Sequence, residues 1–247
     1  MPEWHDFLIL FFAGLGAGGM NVLAGGGSTI TLPILILLGL DAGVANGTNR
    51  VAILVQNIVA TLSFGSDKQT RLRTSLSYGL WTIPGAVTGV FIVARVEDAL
   101  LEKILAILLI VVVLTMLIPN REPSSNQSSG KSIWAGPTLL LIGFYGGFVQ
   151  VGVGFLFMAV FYHLLKLDLL TTTVHKIAVI LLYTIPTLSM FAILGKINWG
   201  LGLTLAAGNA TGALIAARIA VRRGEKVIRI ILIIAVLIMA LKILGAV

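Results

Sequence analysis

Apolar residues run along this chain in long blocks separated by short polar links. Blocks of about 18 residues or more predict membrane-spanning helices. They fall at roughly 43 to 65, 74 to 95 and 99 to 119, and again at roughly 170 to 194, 198 to 219 and 226 to 246. Each set is preceded by an apolar stretch of about 34 residues, which as one helix would measure about 51 Å, far beyond the thickness of a hydrocarbon core. Gly25, Gly26 and Gly27 interrupt the first stretch, and Gly152 and Gly154 the second. Each stretch is therefore expected to form two helical arms around a glycine-rich turn.

The two sets resemble each other. PGAVTGVFIVARV (Pro84 to Val96) shares spacing with AGNATGALIAARI (Ala207 to Ile219), and LGLDAGVANGTNRVAI aligns with LKLDLLTTTVHKIAVI across a one-residue gap. The second alignment pairs Asn49-Arg50-Val51-Ala52 with His175-Lys176-Ile177-Ala178. The expected organisation is an N-terminal repeat at 1–119, a polar linker at 120–132 and a C-terminal repeat at 133–247. The fold class is an all-α integral membrane protein of about eight to ten transmembrane helices, its first helices broken at glycine. Placing Lys68, Arg71 and Arg73 in the cytoplasm and alternating the spans puts Arg121, Lys131, Lys166, Arg218, Arg222, Arg223, Lys226 and Arg229 on the same side, as the positive-inside rule asks. An odd number of elements per half, five, inverts one repeat relative to the other and puts both termini outside. Inverted repeats with broken helices are an arrangement used by secondary transporters. The competing reading is that the glycines only permit close helix packing.

Composition removes other classes. The chain is 57% hydrophobic and 11% charged, against about 25% charged in a soluble domain, so no sizeable soluble domain is expected. Glu3 and Asp6 precede the first apolar block where a secretory leader would carry Lys or Arg, so no cleaved peptide is expected. With no cysteine, thiolate metal sites and thiol catalysis are excluded. The net charge of +7 is concentrated in links, where membrane orientation accounts for it, and nucleic acid is not expected as a partner.

One block holds an anomaly. In GTNRVAILVQNIVATLSF, Arg50 lies inside a span. A helix advancing about 100° per residue places Arg50, Asn57 and Thr61 within about 60° of Asn46. The matching positions Thr172, Lys176, Tyr183 and Thr187 form the same stripe in the second half, and Asn49 and His175 flank the cations. A buried Arg or Lys costs about 2.5–3.5 kcal/mol on insertion scales. All 10 acidic residues fall at span ends or links, which leaves backbone carbonyls, water or a transient anion as the compensating partner. Snorkelling to an interface is the alternative.

The opening GLGAGGMNVLAGGGSTITLPIL, the GTNR segment, PGAVTGVFIVARV and its second copy AGNATGALIAARI together resemble the sulfite exporter TauE/SafE family of bacterial and archaeal permeases. The resemblance covers essentially the whole chain. It implies transport of a small anion, chiefly a sulfur-containing one such as sulfite, a sulfonate or sulfoacetate, across a prokaryotic cytoplasmic (inner) membrane that the chain crosses many times. The stripes supply the candidate binding residues: Arg50 and Lys176 for charge, with Asn46, Asn49, Asn57, Thr172, His175 and Tyr183 donating hydrogen bonds. Asn21, Ser28, Thr29 and Gln150, with Gly25, Gly26, Gly27, Gly152 and Gly154, would close around the anion. His175 is the candidate proton carrier. A gated anion channel suits the same residues. A membrane-embedded enzyme does not, since no HExxH, GxSxG or intramembrane carboxylate pair is present. No P-loop, cofactor or metal site is expected. The expected partners are the anion, the bilayer and a further copy of the chain in a homo-oligomer.

Overall fold

The computed structural model describes residues 3–64, 68–116 and 132–223. Helix α1 spans Trp4–Leu23, α2 Ser28–Leu37, α3 Ala42–Ser63, α4 Lys68–Val93 and α5 Asp98–Met116. Then come α6 at Ala135–Phe148, α7 at Val153–Ala159 running into a π-helical turn at Val160–Leu164, α8 at Leu169–Ile193 and α9 at Trp199–Arg223. No strand occurs among the described residues. The expected span 226–246 lies outside them, as does the linker 120–132 apart from Ser132.

Trp4–Leu23, Arg73–Val93, Leu169–Ile193 and Trp199–Ala220 are long and apolar enough to cross a membrane. Helix α3 is long but less apolar, because it carries buried Asn46, Asn49, Arg50, Gln56 and Asn57. Such a helix is stable in lipid only with its polar face turned to protein. That face is covered here: α3 packs against α9 and α8, while α8 packs in turn against α4. Helix α4 starts at Lys68, ahead of the expected 74, since no Pro or Gly in Lys68–Arg73 stops the helix from running on into its basic turn.

Two pairs of helices approach so closely that only glycine fits between them. Gly14 and Gly18 of α1 face Leu205 and Asn209 of α9, and Gly208 and Gly212 of α9 face Phe11 and Leu15 of α1. Gly143 and Gly147 of α6 face Thr82 and Ala86 of α4, and Gly85 and Gly89 of α4 face Leu140 and Phe144 of α6. Small residues let helix backbones touch where lipid offers no hydrophobic gain on association. The first helix of each set thus lies against a helix of the other set.

The links within the long apolar stretches are short. Between α1 and α2 lie residues 24–27, with Gly25 at φ +96. Between α6 and α7 lie residues 149–152, with Gly152 at φ +64. Both angles are left-handed and cost glycine nothing. Gly154 is the second residue of α7 and lies against Gly25. Tyr145 donates its hydroxyl to Val151 O at 2.7 Å, bracing the second link. The π-helical turn was not expected, because a change of helical register inside a uniformly apolar run leaves no mark on hydrophobic periodicity.

Candidate functional site

Arg50 is fully buried in α3. Its guanidinium donates to Gly147 O at 2.7 Å and Thr187 Oγ1 at 3.1 Å, with a longer contact to Asn46 Oδ1 at 3.5 Å. The Phe191 ring lies 4.7 Å from the guanidinium carbon. Gly147 is in the last turn of α6, where carbonyls have no intrahelical donor and the helix dipole is negative. Asn46 donates to the neighbouring carbonyl, Phe148 O, at 2.8 Å.

Lys176 of α8 does the same at the other link. Its Nζ donates to Val22 O at 2.8 Å and Asn21 O at 3.1 Å, in the last turn of α1, and touches Met158 Sδ at 3.7 Å. Each cation therefore sits on the C-terminal carbonyls of a first helix belonging to the opposite sequence half. Among the described residues no carboxylate pairs with either. Lys196 Nζ, at 3.8 Å from Asp98 Oδ2, makes its ion pair near the N-terminus of α3, where Asp98 Oδ1 also accepts from Gly43 N. Of the compensating partners open from sequence, backbone carbonyls hold both cations here.

The other expected residues divide into those drawn together and those engaged elsewhere. Asn49 accepts from Thr31 Oγ1 at 2.7 Å and donates to Ser28 Oγ at 3.2 Å, fixing α2 on α3. Gln150 donates to Tyr183 OH at 3.5 Å and Thr184 Oγ1 at 3.4 Å. Asn21 donates to Gln56 Oε1 at 3.2 Å. His175 Nδ1 is hydrogen bonded to Ser75 Oγ at 2.8 Å, with the Tyr78 and Phe161 rings 5.5 and 5.9 Å away. Asn57 donates back to Ile53 O in its own helix, Thr172 to Leu167 O, and Thr29 to Gly26 O. Gly26 and Gly27 lie in the first link, where Gly26 would clash with the Phe155 ring if it bore a side chain.

Sequence reasoning passed over Gln56 and Asn209. Asn209 of α9 donates to Gln56 Oε1 at 3.1 Å, so one carboxamide joins α1, α3 and α9. Both residues stand in the sequence as amides inside apolar runs, Asn209 within the AGNATG segment on which the expected repeat rests. Among the described residues, four buried atoms keep no hydrogen-bond partner: Arg50 Nε, Thr61 Oγ1, Gln150 Oε1 and Asn209 Oδ1. Arg50 thus retains an unused donor, its Nε–H.

The sulfite exporter TauE/SafE family matches residues 10–243. A probable membrane transporter protein ORF9 of Sinorhizobium is 31% identical over 98% of this chain and 94% of its own length. The probable membrane transporter protein YfcA of Escherichia coli K12 is 28% identical over 96% and 88% respectively. A probable membrane transporter protein of Haemophilus influenzae is 26% identical over 90% and 88%. No solved structure matches the chain significantly.

Proposed function

The chain belongs to the sulfite exporter TauE/SafE family, and from that premise we propose that it carries a small anion, sulfite or another small sulfur oxyanion or sulfonate, by alternating access between two inverted repeats. It is a multi-pass membrane transporter and not an enzyme. The membrane is the prokaryotic cytoplasmic one in this reading.

The observation that carries it is the pair of buried cations held only by neutral groups. A carbonyl dipole compensates a full charge only in part. An oxyanion would compensate it better, and Arg50 keeps an Nε–H to offer. Arginine's fork suits two oxygens of one anion, while Lys176 acts as a point charge. Gln150, Tyr183 and Thr187 supply neutral donors near Arg50, and the two links, read as the glycine breaks of the repeats, let helix ends move without losing internal hydrogen bonds. His175 is the residue proposed to carry a coupling proton.

Reconstituted protein tests this. Arg50→Gln and Lys176→Gln should each reduce sulfite flux by at least about tenfold, the loss of about one charge-assisted hydrogen bond. Both variants transporting normally would sink the reading. A thermal-shift screen of sulfite, sulfate, thiosulfate, sulfonates and carboxylates at one concentration ranks the anions, since the ligand that binds the folded state more tightly stabilises it more. Flux at channel rates through single proteins would replace the carrier with a gated anion channel.

A further inference from the structure

The long-range hydrogen bonds sort by the helices they join. Gln56 of α3 accepts from Asn21 of α1 and Asn209 of α9. Asn198 N, at the start of α9, donates to Thr48 of α3, and Asn49 of α3 is tied to α2. These bonds join α1, α2, α3 and α9. Separately, Gln150 binds Tyr183 and Thr184 of α8, and Ser75 of α4 binds His175 of α8. The glycine crossings follow the same division, α1 on α9 and α6 on α4. Two bodies result: α1, α2, α3 and α9 in one, and α4, α6, α7 and α8 in the other. Each contains helices from both sequence halves.

The polar bonds between the bodies are of another kind. Arg50 and Asn46 of the first reach the end of α6 and Thr187 in the second; Lys176 of the second reaches the end of α1 in the first. Beyond these, Gly25 lies on Gly154, and apolar side chains such as Ala45, Val51 and Leu188 share a core. Close to the α8–α9 link, where the chain passes from one body to the other, Gly47 approaches Phe191 and Lys196.

We propose that transport moves these two bodies against each other, not one sequence half against the other, and that Arg50 and Lys176 are clasps holding them closed until an anion takes over their donors. Helices interlocked at successive glycines along their lengths cannot slide without atomic overlap, whereas the boundary has backbone contact at one point, Gly25 on Gly154, and otherwise apolar side-chain contacts, which are non-directional and shift readily. Releasing a clasp alone would leave a buried cation without a partner. An anion removes that obstacle, so binding and release are coupled. This rests on the anion-transport reading above and names its moving parts.

The chain has no cysteine of its own, which permits a disulfide test. A β-carbon on Gly19 of α1 would stand 4.0 Å from Ala216 Cβ of α9, within disulfide range. One on Gly79 of α4 would stand 3.3 Å from Leu182 Cβ of α8. Both pairs, Gly19→Cys with Ala216→Cys and Gly79→Cys with Leu182→Cys, join the sequence halves inside a single body. In liposomes, sulfite flux of each oxidised pair should stay within about twofold of the reduced protein, since no moving surface is crossed. A loss of more than about tenfold on oxidation, reversed by reduction, would show that the halves move and overturn the proposal. Failure of both pairs to oxidise would overturn the close packing on which it depends. If the cysteine-free parent moves no sulfite, the transport reading fails separately, and spin-label distances in Lys176→Gln judge the bodies. Labels at exposed Phe12 and Leu203, both in the first body, should keep their separation while Phe12 to Trp81, across the boundary, changes; the converse overturns the proposal.

Discussion

Gly25, in the link after α1, lies backbone to backbone against Gly154 at the start of α7: a β-carbon on Gly25 would stand 2.5 Å from the carbonyl carbon of Gly154. The first link therefore meets the start of α7 in the interior, near the helix ends that Lys176 and Arg50 hold. Gly154→Ala should force them apart and lower thermal stability by about 1–3 kcal/mol, the usual range for overpacking a dense core. Gly25→Ala should cost more, because its φ of +96 is also strained for any residue with a β-carbon. Thermal unfolding of the detergent-solubilised variants measures the difference; equal stability of both variants and parent would contradict the contact.

Arg50→Lys separates charge from geometry. Lysine keeps the positive charge but lacks the planar fork that reaches Gly147 O and Thr187 Oγ1 together. One of those acceptors is left unpaired in a buried site, at about 1–3 kcal/mol. Thermal stability should fall, and sulfite flux should fall at least about tenfold if the anion uses two N–H groups of Arg50 at once. Flux equal to the parent would mean that a point charge is enough.

How far the sequence foretold this site depends on the kind of interaction. The stripe containing Asn46, Arg50 and Asn57 was legible because helical periodicity is strict, and all of these residues are buried on α3. Their partners were not legible. Gly147 O, Val22 O and Asn21 O are backbone atoms, and no side-chain pattern announces a free carbonyl. Asn57 shared the stripe yet turns back on Ile53 O, since a short amide in a helix finds its own backbone as readily as a ligand. The packing of α1 on α9 was hidden for a related reason. Glycines advertise a close approach, but not which helix makes it.

Gln56→Leu tests the carboxamide junction. Its Oε1 is the acceptor for both Asn21 Nδ2 and Asn209 Nδ2, and leucine would leave two buried amide groups short of a partner, about 1–3 kcal/mol each. The protein should unfold at a markedly lower temperature. Gln56→Glu, which keeps both acceptor contacts and brings a negative charge, should hold stability better than leucine while weakening anion binding through repulsion. Thermal shift with and without sulfite reads both effects; leucine proving harmless would remove Gln56 from the structural account.

Gly16 and Gly18 of α1 provide the sharpest contrast in the helix-crossing argument. A β-carbon on Gly16 would meet nothing within 4 Å, while one on Gly18 would overlap the backbone of Asn209. Gly16→Ala should leave the protein at least as stable, since alanine holds a helix better than glycine by about 1 kcal/mol. Gly18→Ala should pry α1 from α9, drag Asn209 from Gln56 Oε1, and shift the Asn21 and Val22 carbonyls that Lys176 holds. Expression in membranes, thermal unfolding and sulfite flux should all fall together for Gly18→Ala and be spared in Gly16→Ala. Equal tolerance of the two substitutions would mean that α1 and α9 are free to separate, and with that the tie between a helix crossing and a buried cation would be lost.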